Sequence, residues 1–166
     1  MTSEELKSLQ NPLKEKYREL PESAIITLKS QGRLGEEISC KVTTGNALVE
    51  AGLHPATGGT GFFACSGDML LDALVACAGV TLKAVATAIG VEIKNGIVKA
   101  EGDLDFKGTL GVSKDAPVGF KNIRLLFDLE SSATGEQMVT LKKLTERYCV
   151  VYQTLLNGVA METRFK

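Results

Sequence analysis

The stretch Ser66-Gly-Asp-Met-Leu-Leu-Asp-Ala-Leu-Val-Ala-Cys-Ala-Gly-Val-Thr-Leu82 decides how this chain must fold. Ser66 can cap a helix running from about Gly67 to Ile89, and Gly90 can end it. Asp68 in the first turn suits the positive end of that helix. From Ala73 to Leu82 no side chain is charged, and a helix apolar on every side is expected to be buried on every side. Ala73, Ala76, Ala78, Gly79, Ala84, Ala86 and Ala88 are small enough for other backbones to approach closely. Cys77 sits in the middle of this helix.

Strand signals flank it. Upstream, Ala24–Leu28 is β-branched and apolar, Gln31–Gly35 reads as a turn, and Glu37–Val42 alternates with Ile38, Cys40 and Val42 on one face. Thr44-Gly45-Asn46 turns again, and Ala47–Glu50 suggests a third strand. A glycine-rich connection covers residues 51–67. It lacks the Gly-Lys-Ser/Thr ending of a phosphate-binding loop. Downstream, Asn95-Gly96 signals a tight hairpin. Residues 98–107 then alternate, with Val98, Ala100, Gly102, Leu104 and Phe106 on one face and charged residues on the other. Ile123, Leu125, Phe127 and Leu129 mark another strand. Thr134-Gly-Glu-Gln137 resembles a capping box. It opens a helix with Met138, Leu141, Leu144, Thr145, Tyr148 and Tyr152 on one side. Cys149 falls about 20° from Met138 on that wheel, at the edge of the stripe, so it should be half-buried or at an interface. Val159–Phe165 can form a last strand.

The order predicts an α+β fold: antiparallel strands packed on a long buried helix and a second amphipathic one. Residues 1–22 form a separate N-terminal arm in this reading, and 23–166 one domain. In the arm, Leu6, Leu9, Leu13, Tyr17 and Leu20 make one apolar stripe. Asn11-Pro12 should interrupt it and Pro21 end it. The arm packs on the body or on a partner subunit, or stays a solvated helix.

Length and composition agree with one globular domain. The chain has 166 residues, 44% hydrophobic and 23% charged, with a formal net charge of −1. Such a chain offers no broad electrostatic footprint for nucleic acid or an anionic membrane. No stretch reaches ~18 uncharged apolar residues, so no membrane span is expected. The N-terminus lacks a secretory apolar core, which suggests the cytoplasm. There four cysteines serve as buried hydrophobes, metal ligands or reactive thiols.

Their spacing argues against metal. His54 is the only histidine, no Cys-x-x-Cys occurs, and the cysteine gaps are 25, 12 and 72 residues. No cofactor motif is present either. A Ser-His-Asp triad would need His54, and no Gly-x-Ser-x-Gly elbow accompanies it. Thiol chemistry remains. Cys77 lies roughly 15 Å into its helix, too far for that helix's own dipole to help much. From the residues alone it is open between a small buried hydrophobe and a reactive thiol. Cys40 reads as core, and Cys65 as a loop thiol at the helix mouth.

The segment Ser66–Leu82 resembles the signature of the OsmC/Ohr family, in which a capped helix reads Pro-Glu-Glu-Leu-Leu-x-Ala-Ala-Leu-Ala-x-Cys-x-x-x-Thr-Leu. Glu146-Arg-Tyr-Cys-Val-Val-Tyr-Gln-Thr-Leu155 is similar to the family's second cysteine segment. The likeness covers residues 24–166. It implies an intertwined homodimer with active sites at the subunit interface. It also implies a thiol peroxidase for organic hydroperoxides that acts in oxidative stress defence. Cys77 would attack the peroxide and Cys149 would resolve the sulfenic acid as a disulfide, which an external dithiol reduces. Gln31-Gly-Arg-Leu-Gly35 is similar to the family's arginine turn, so Arg33 is the implied cation beside the thiolate. Arg147 is a weaker candidate, and an exposed turn arginine is the other reading of Arg33. The family's helix-leading proline is Ser66 here. Its arginine-pairing glutamate falls on Gly67, so Asp68 must substitute. Its proline after the second cysteine is Val150. The alternative on the same fold is a protein that binds a small hydrophobic ligand between subunits, with structural or regulatory cysteines.

Overall fold

The computed structural model describes residues 2–20, 32–34, 39–44 and 47–165. In chain order the elements are helix α1 (Ser3–Glu19), strands β1 (Gly32–Leu34), β2 (Ser39–Thr44) and β3 (Ala47–Gly52), a 3₁₀ turn (Pro55–Thr57) and strand β4 (Ala64–Cys65). Helix α2 (Ser66–Ala88), strand β5 (Ile93–Leu104), a single helical turn α3 (Phe106–Thr109) and strand β6 (Phe120–Ser131) follow, then helices α4 (Gly135–Tyr148) and α5 (Val150–Asn157). This is the expected α+β order. The chain forms two compact units, one of residues 1–19, 73–99 and 126–166, the other of 20–72 and 100–125. The expected strand Ala24–Leu28 lies outside the described residues.

In the first unit, Leu82, Val85 and Ala86 of α2 meet Val91 and Leu141 in a buried cluster, with Ile93, Phe127, Leu129, Met138 and Leu144 packed against it. Helix α2 has the length and hydropathy of a membrane-crossing helix. Leu74, Ala78, Leu82, Val85 and Ala86 nevertheless make it a core helix. It stops at Gly90, whose positive φ of 71° suits a residue without Cβ. The Val91 N–H then bonds back to the Ala86 carbonyl at 2.9 Å. Burial on every side is not what the single chain shows. Val80 is 73% exposed, because one stripe of the helix faces the core and this flank is uncovered.

Thr134 opens α4 with the expected capping box: its side chain accepts from the Gln137 N–H, and the Gln137 side chain accepts from the Thr134 N–H. The expected single helix through Tyr152 is instead two. Cys149 is extended (φ −73°, ψ 107°), ending α4 and preceding α5. Beyond α5, Val159–Phe165 is not a strand, since no neighbouring strand pairs with it among the described residues. Helix α1 opens with a second capping box. Thr2 Oγ1 accepts from the Glu5 N–H at 3.1 Å, and a Glu5 carboxylate oxygen from the Thr2 N–H at 2.7 Å. The expected break at Asn11-Pro12 does not occur: Pro12 lies inside α1, which forgoes only the bond that a proline cannot donate.

In the second unit β2 pairs antiparallel with β1 and β3, with Arg33 opposite Lys41 and Val42 opposite Val49, while β4 joins β3 in parallel. Residues 32–34, read as part of a turn, are thus a strand at the edge of the sheet among the described residues, paired through backbone groups that side-chain patterning does not report. β5 and β6 form a two-stranded sheet. The Asn95-Gly96 hairpin expectation fails because both residues lie within β5, alongside Asp128 and Leu129. Further along β5, a Cβ on Gly102 would sit 2.4 Å from the Phe120 ring, so only glycine lets the ring pack there. Side-chain alternation along β5 holds. Ala100, Gly102 and Leu104 are half-buried, and Glu101 and Asp103 are exposed. Arg124 bridges the wet face: its Nε donates to Glu101 at 3.1 Å and its terminal nitrogens clasp both oxygens of Asp103. That guanidinium holds the Asp103 carboxyl below its usual range.

Candidate functional site

The first unit brings Cys77 and Cys149 together. The two thiols are neighbours, and each shifts the other's titration: Cys149 lowers Cys77 and Cys77 raises Cys149. Neither is in a disulfide. Cys77 projects from mid-α2, where its own helix has no free N–H to offer. The donors come from α5 instead. Burial by itself pushes the Cys77 thiol up, but the backbone N–H groups of Val151 and Val150, the Cys149 thiol and the Thr81 hydroxyl near its sulfur all favour the thiolate. Together they hold its pKa below the ordinary value.

The local sequence explains why those amides are available. A helix leaves its first N–H groups unpaired, and the residue before it usually supplies a side-chain acceptor. Cys149 precedes α5 and makes no such bond. The Cys77 sulfur on α2 lies close enough to the Val150 and Val151 N–H groups to feel them. Thr81 lies one turn beyond Cys77 on the same face of α2, within reach of the sulfur. Val150 contributes one of these N–H groups, which a proline there would not carry.

Cys149 has the opposite environment. It is 1% exposed. Desolvation and the neighbouring Cys77 raise its pKa, outweighing the lowering influence of the nearby Tyr152 and Val151 N–H groups. The pair is therefore unequal: Cys77 gives up its proton below the ordinary thiol range and Cys149 above it. The α4–α5 junction that holds Cys149 is firmly stitched. The Cys149 N–H bonds to the Thr145 carbonyl at 3.0 Å, the Gln153 N–H to the Cys149 carbonyl at 2.9 Å, and the Gln153 side-chain amide to the Glu146 carbonyl at 2.8 Å. Within this junction Thr145 is 2% exposed and its hydroxyl has no hydrogen-bond partner among the described residues. The expectation of a half-buried Cys149 fails because the helix breaks there and turns it inward.

The remaining site residues lie elsewhere. Arg33 pairs through its backbone in β1, and its side chain lies outside the described residues. Arg147 is exposed and its guanidinium lies over the Tyr148 ring, 5.8 Å from the centroid. Asp68 and Cys65 line a cleft of about 350 Å³ in the second unit, with His54, Leu71, Phe106 and Phe120. His54 stacks on Phe106 at 4.9 Å, and its Nδ1 accepts from the Ala56 N–H at 3.0 Å. No group of three or more His, Cys, Asp or Glu side chains suited to a metal occurs among the described residues. The α5 amides and Thr81 were absent from the sequence reading. The Cys-x-x-x-Thr spacing was the available signal for Thr81.

The family model described as OsmC-like protein matches residues 59–164. Among solved structures, the chain is similar to an OsmC-like protein from Mycoplasma pneumoniae. The two are 18% identical, with 80% of this chain and 89% of that chain covered and a TM-score of 0.67. It is also similar to an organic hydroperoxide resistance protein OsmC from Legionella pneumophila (15% identity, 81% and 91% covered, TM-score 0.62). A third such structure is the organic hydroperoxide resistance protein OhrB of Bacillus subtilis (20% identity, 81% and 93% covered, TM-score 0.56). These likenesses establish a shared fold. None of the curated proteins matches the sequence.

Proposed function

Because the chain belongs to the OsmC-like protein family, we propose that it is a cytoplasmic, homodimeric thiol peroxidase that reduces organic hydroperoxides. The observation that carries this reading is the unequal pair: neighbouring Cys77 and Cys149, the first with its pKa lowered and the second with its pKa raised. The Cys77 thiolate attacks the outer peroxide oxygen. The O–O bond breaks, the sulfur becomes sulfenic acid, and the departing alkoxide takes a proton to leave as alcohol. Cys149 then attacks the Cys77 sulfur, expelling hydroxide that leaves as water with the Cys149 proton, and a Cys77–Cys149 disulfide forms. An external dithiol returns both to thiols by exchange.

The amide donors of α5 bear on what the family likeness leaves open. Where the family's pattern has proline, Val150 supplies an N–H to the thiolate. Backbone donors thereby do part of the work that Arg33, with Asp68 as its partner, was expected to do. A homodimer is favoured by the uncovered flank of α2, since Val80 on this apolar helix is 73% exposed. The cleft lined by Leu71, Phe106 and Phe120 supports a second reading, the binding of a small hydrophobic ligand.

One equivalent of cumene hydroperoxide should consume two thiols per chain and produce one Cys77–Cys149 disulfide, read by thiol titration and peptide mapping. If all thiols survive excess hydroperoxide, the peroxidase reading is wrong.

A further inference from the structure

Thr145 is the one described side chain whose buried polar atom lacks a partner. A buried hydroxyl left unpaired costs about 1–3 kcal/mol, and native proteins contain few of them. The ordinary remedy for a threonine inside a helix is a bond to the carbonyl one turn back, here that of Leu141. Thr145 does not take it. Its position is specific. The Cys149 N–H donates to the Thr145 carbonyl at 3.0 Å, so the two residues stack one helical turn apart. Both are almost wholly buried, at 2% and 1% exposure. An unpaired donor thus sits one turn from the cysteine that must attack a sulfenic acid in water-poor surroundings.

We infer that the Thr145 hydroxyl supports Cys149 during resolution, donating a hydrogen bond to its sulfur as that sulfur gains negative charge. The inference rests on the peroxidase reading above. In the resting protein the Cys149 pKa lies above the ordinary thiol value, so its sulfur carries little charge to hold a hydroxyl donor. When Cys149 attacks, the S–S bond forms, the S–O bond of the sulfenic acid breaks, and the Cys149 proton leaves with the expelled oxygen as water. Only in that interval does the sulfur become a strong acceptor, because hydrogen bonds to ionised partners are about twice as strong as neutral ones. The hydroxyl is unpaired at rest and paired while the reaction proceeds, which favours the second step over the ground state.

The test separates the two chemical steps in single turnover of the full chain with cumene hydroperoxide. Dimedone trapping reports the sulfenic acid, and mass spectrometry the disulfide. In Thr145→Val, sulfenic acid should form at the wild-type rate and disappear about tenfold more slowly, while thermal stability is kept or raised. Thr145→Ser and Thr145→Ala both lose the methyl group and differ only in the hydroxyl. Serine should restore resolution and alanine should not, and this pair decides the matter should the valine variant fold poorly. If valine resolves as fast as wild type, or if serine and alanine are equally slow, the inference is overturned and Thr145 is a packing residue. If wild-type protein forms sulfenic acid but no Cys77–Cys149 disulfide, the resolving role of Cys149 fails and the inference with it. If wild type forms neither species, the peroxidase reading itself is overturned.

Discussion

Cys77 and Cys65 are both free, partly buried thiols close to a helix N-terminus, and their surroundings could hardly differ more. Cys65 directly precedes α2 and shares its cleft with His54, Phe120 and the carboxylates of Asp68 and Asp103. Cys77 lies deep in α2 by sequence, yet the first two N–H groups of α5, the Thr81 hydroxyl and the Cys149 thiol all lower its pKa. The comparison teaches that a thiol's chemistry follows from the groups that its sulfur touches. Its distance along the chain from a helix start is a poor guide. The useful dipole came from a helix that begins 73 residues later in the chain, at Val150.

The largest effect that could break this contrast is Cys77→Ser. It should reduce hydroperoxide consumption to background in a coupled peroxide assay, whereas a variant that keeps turnover through Cys65 would invert the comparison.

Val150→Pro tests the donors themselves. The first position of a helix tolerates proline, and Cys149 already has the extended backbone that a following proline demands. The substitution therefore deletes one N–H with little cost to the fold. Losing one hydrogen bond to a charged group corresponds to ~1.5–3 kcal/mol, or about 10- to 100-fold in Cys77 reactivity at neutral pH. Alkylation by iodoacetamide across pH reads it directly. In the wild type the Cys77 thiolate persists below the ordinary thiol range, so its midpoint lies lower than that of a free cysteine, and the Cys149 midpoint lies higher. The proline variant should move the Cys77 midpoint upward; an unmoved profile removes the Val150 amide from the site. The linkage has the same sign. A depressed folded-state pKa contributes stability above the unfolded value, and that stability is lost as pH falls through the folded one.

Cys65→Ser should have the smallest effect, leaving turnover and the Cys77–Cys149 disulfide unchanged. A disulfide mapped to Cys65 in wild-type protein would instead make it the resolving thiol.

Much of this was legible in the residues. Helix α2, its end at Gly90, the Thr134 capping box and the alternation along β5 and β6 follow from local periodicity and from caps that need only neighbours a few residues away. The break at Cys149 was not legible. Met138, Leu141, Thr145 and Tyr152 continue one helical stripe, and nothing local tells that Cys77 will serve the amides of Val150 and Val151. β1 escaped notice because Gly32 and its neighbours turn into an edge strand only when β2 is beside them. Val159–Phe165 alternates well and yet is coil, since alternation describes a face and a strand also needs a neighbour. Of the site, the cysteine pair was implied by likeness, while its donors depended on tertiary packing.

The missing side-chain cap of α5 makes one sulfur atom serve two masters. In the proposed chemistry the Cys77 thiolate is the nucleophile, and it is also the charge that the first amides of α5 face. Once it is oxidised, its charge is gone and the amides of Val150 and Val151 lose their strongest partner. Backbone hydrogen exchange at these two positions should therefore quicken when the protein is oxidised, with the α4 amides as an internal reference. The opening turn of α5 is in this sense a gauge of the protein's oxidation state, readable from the backbone without any chemical label on sulfur.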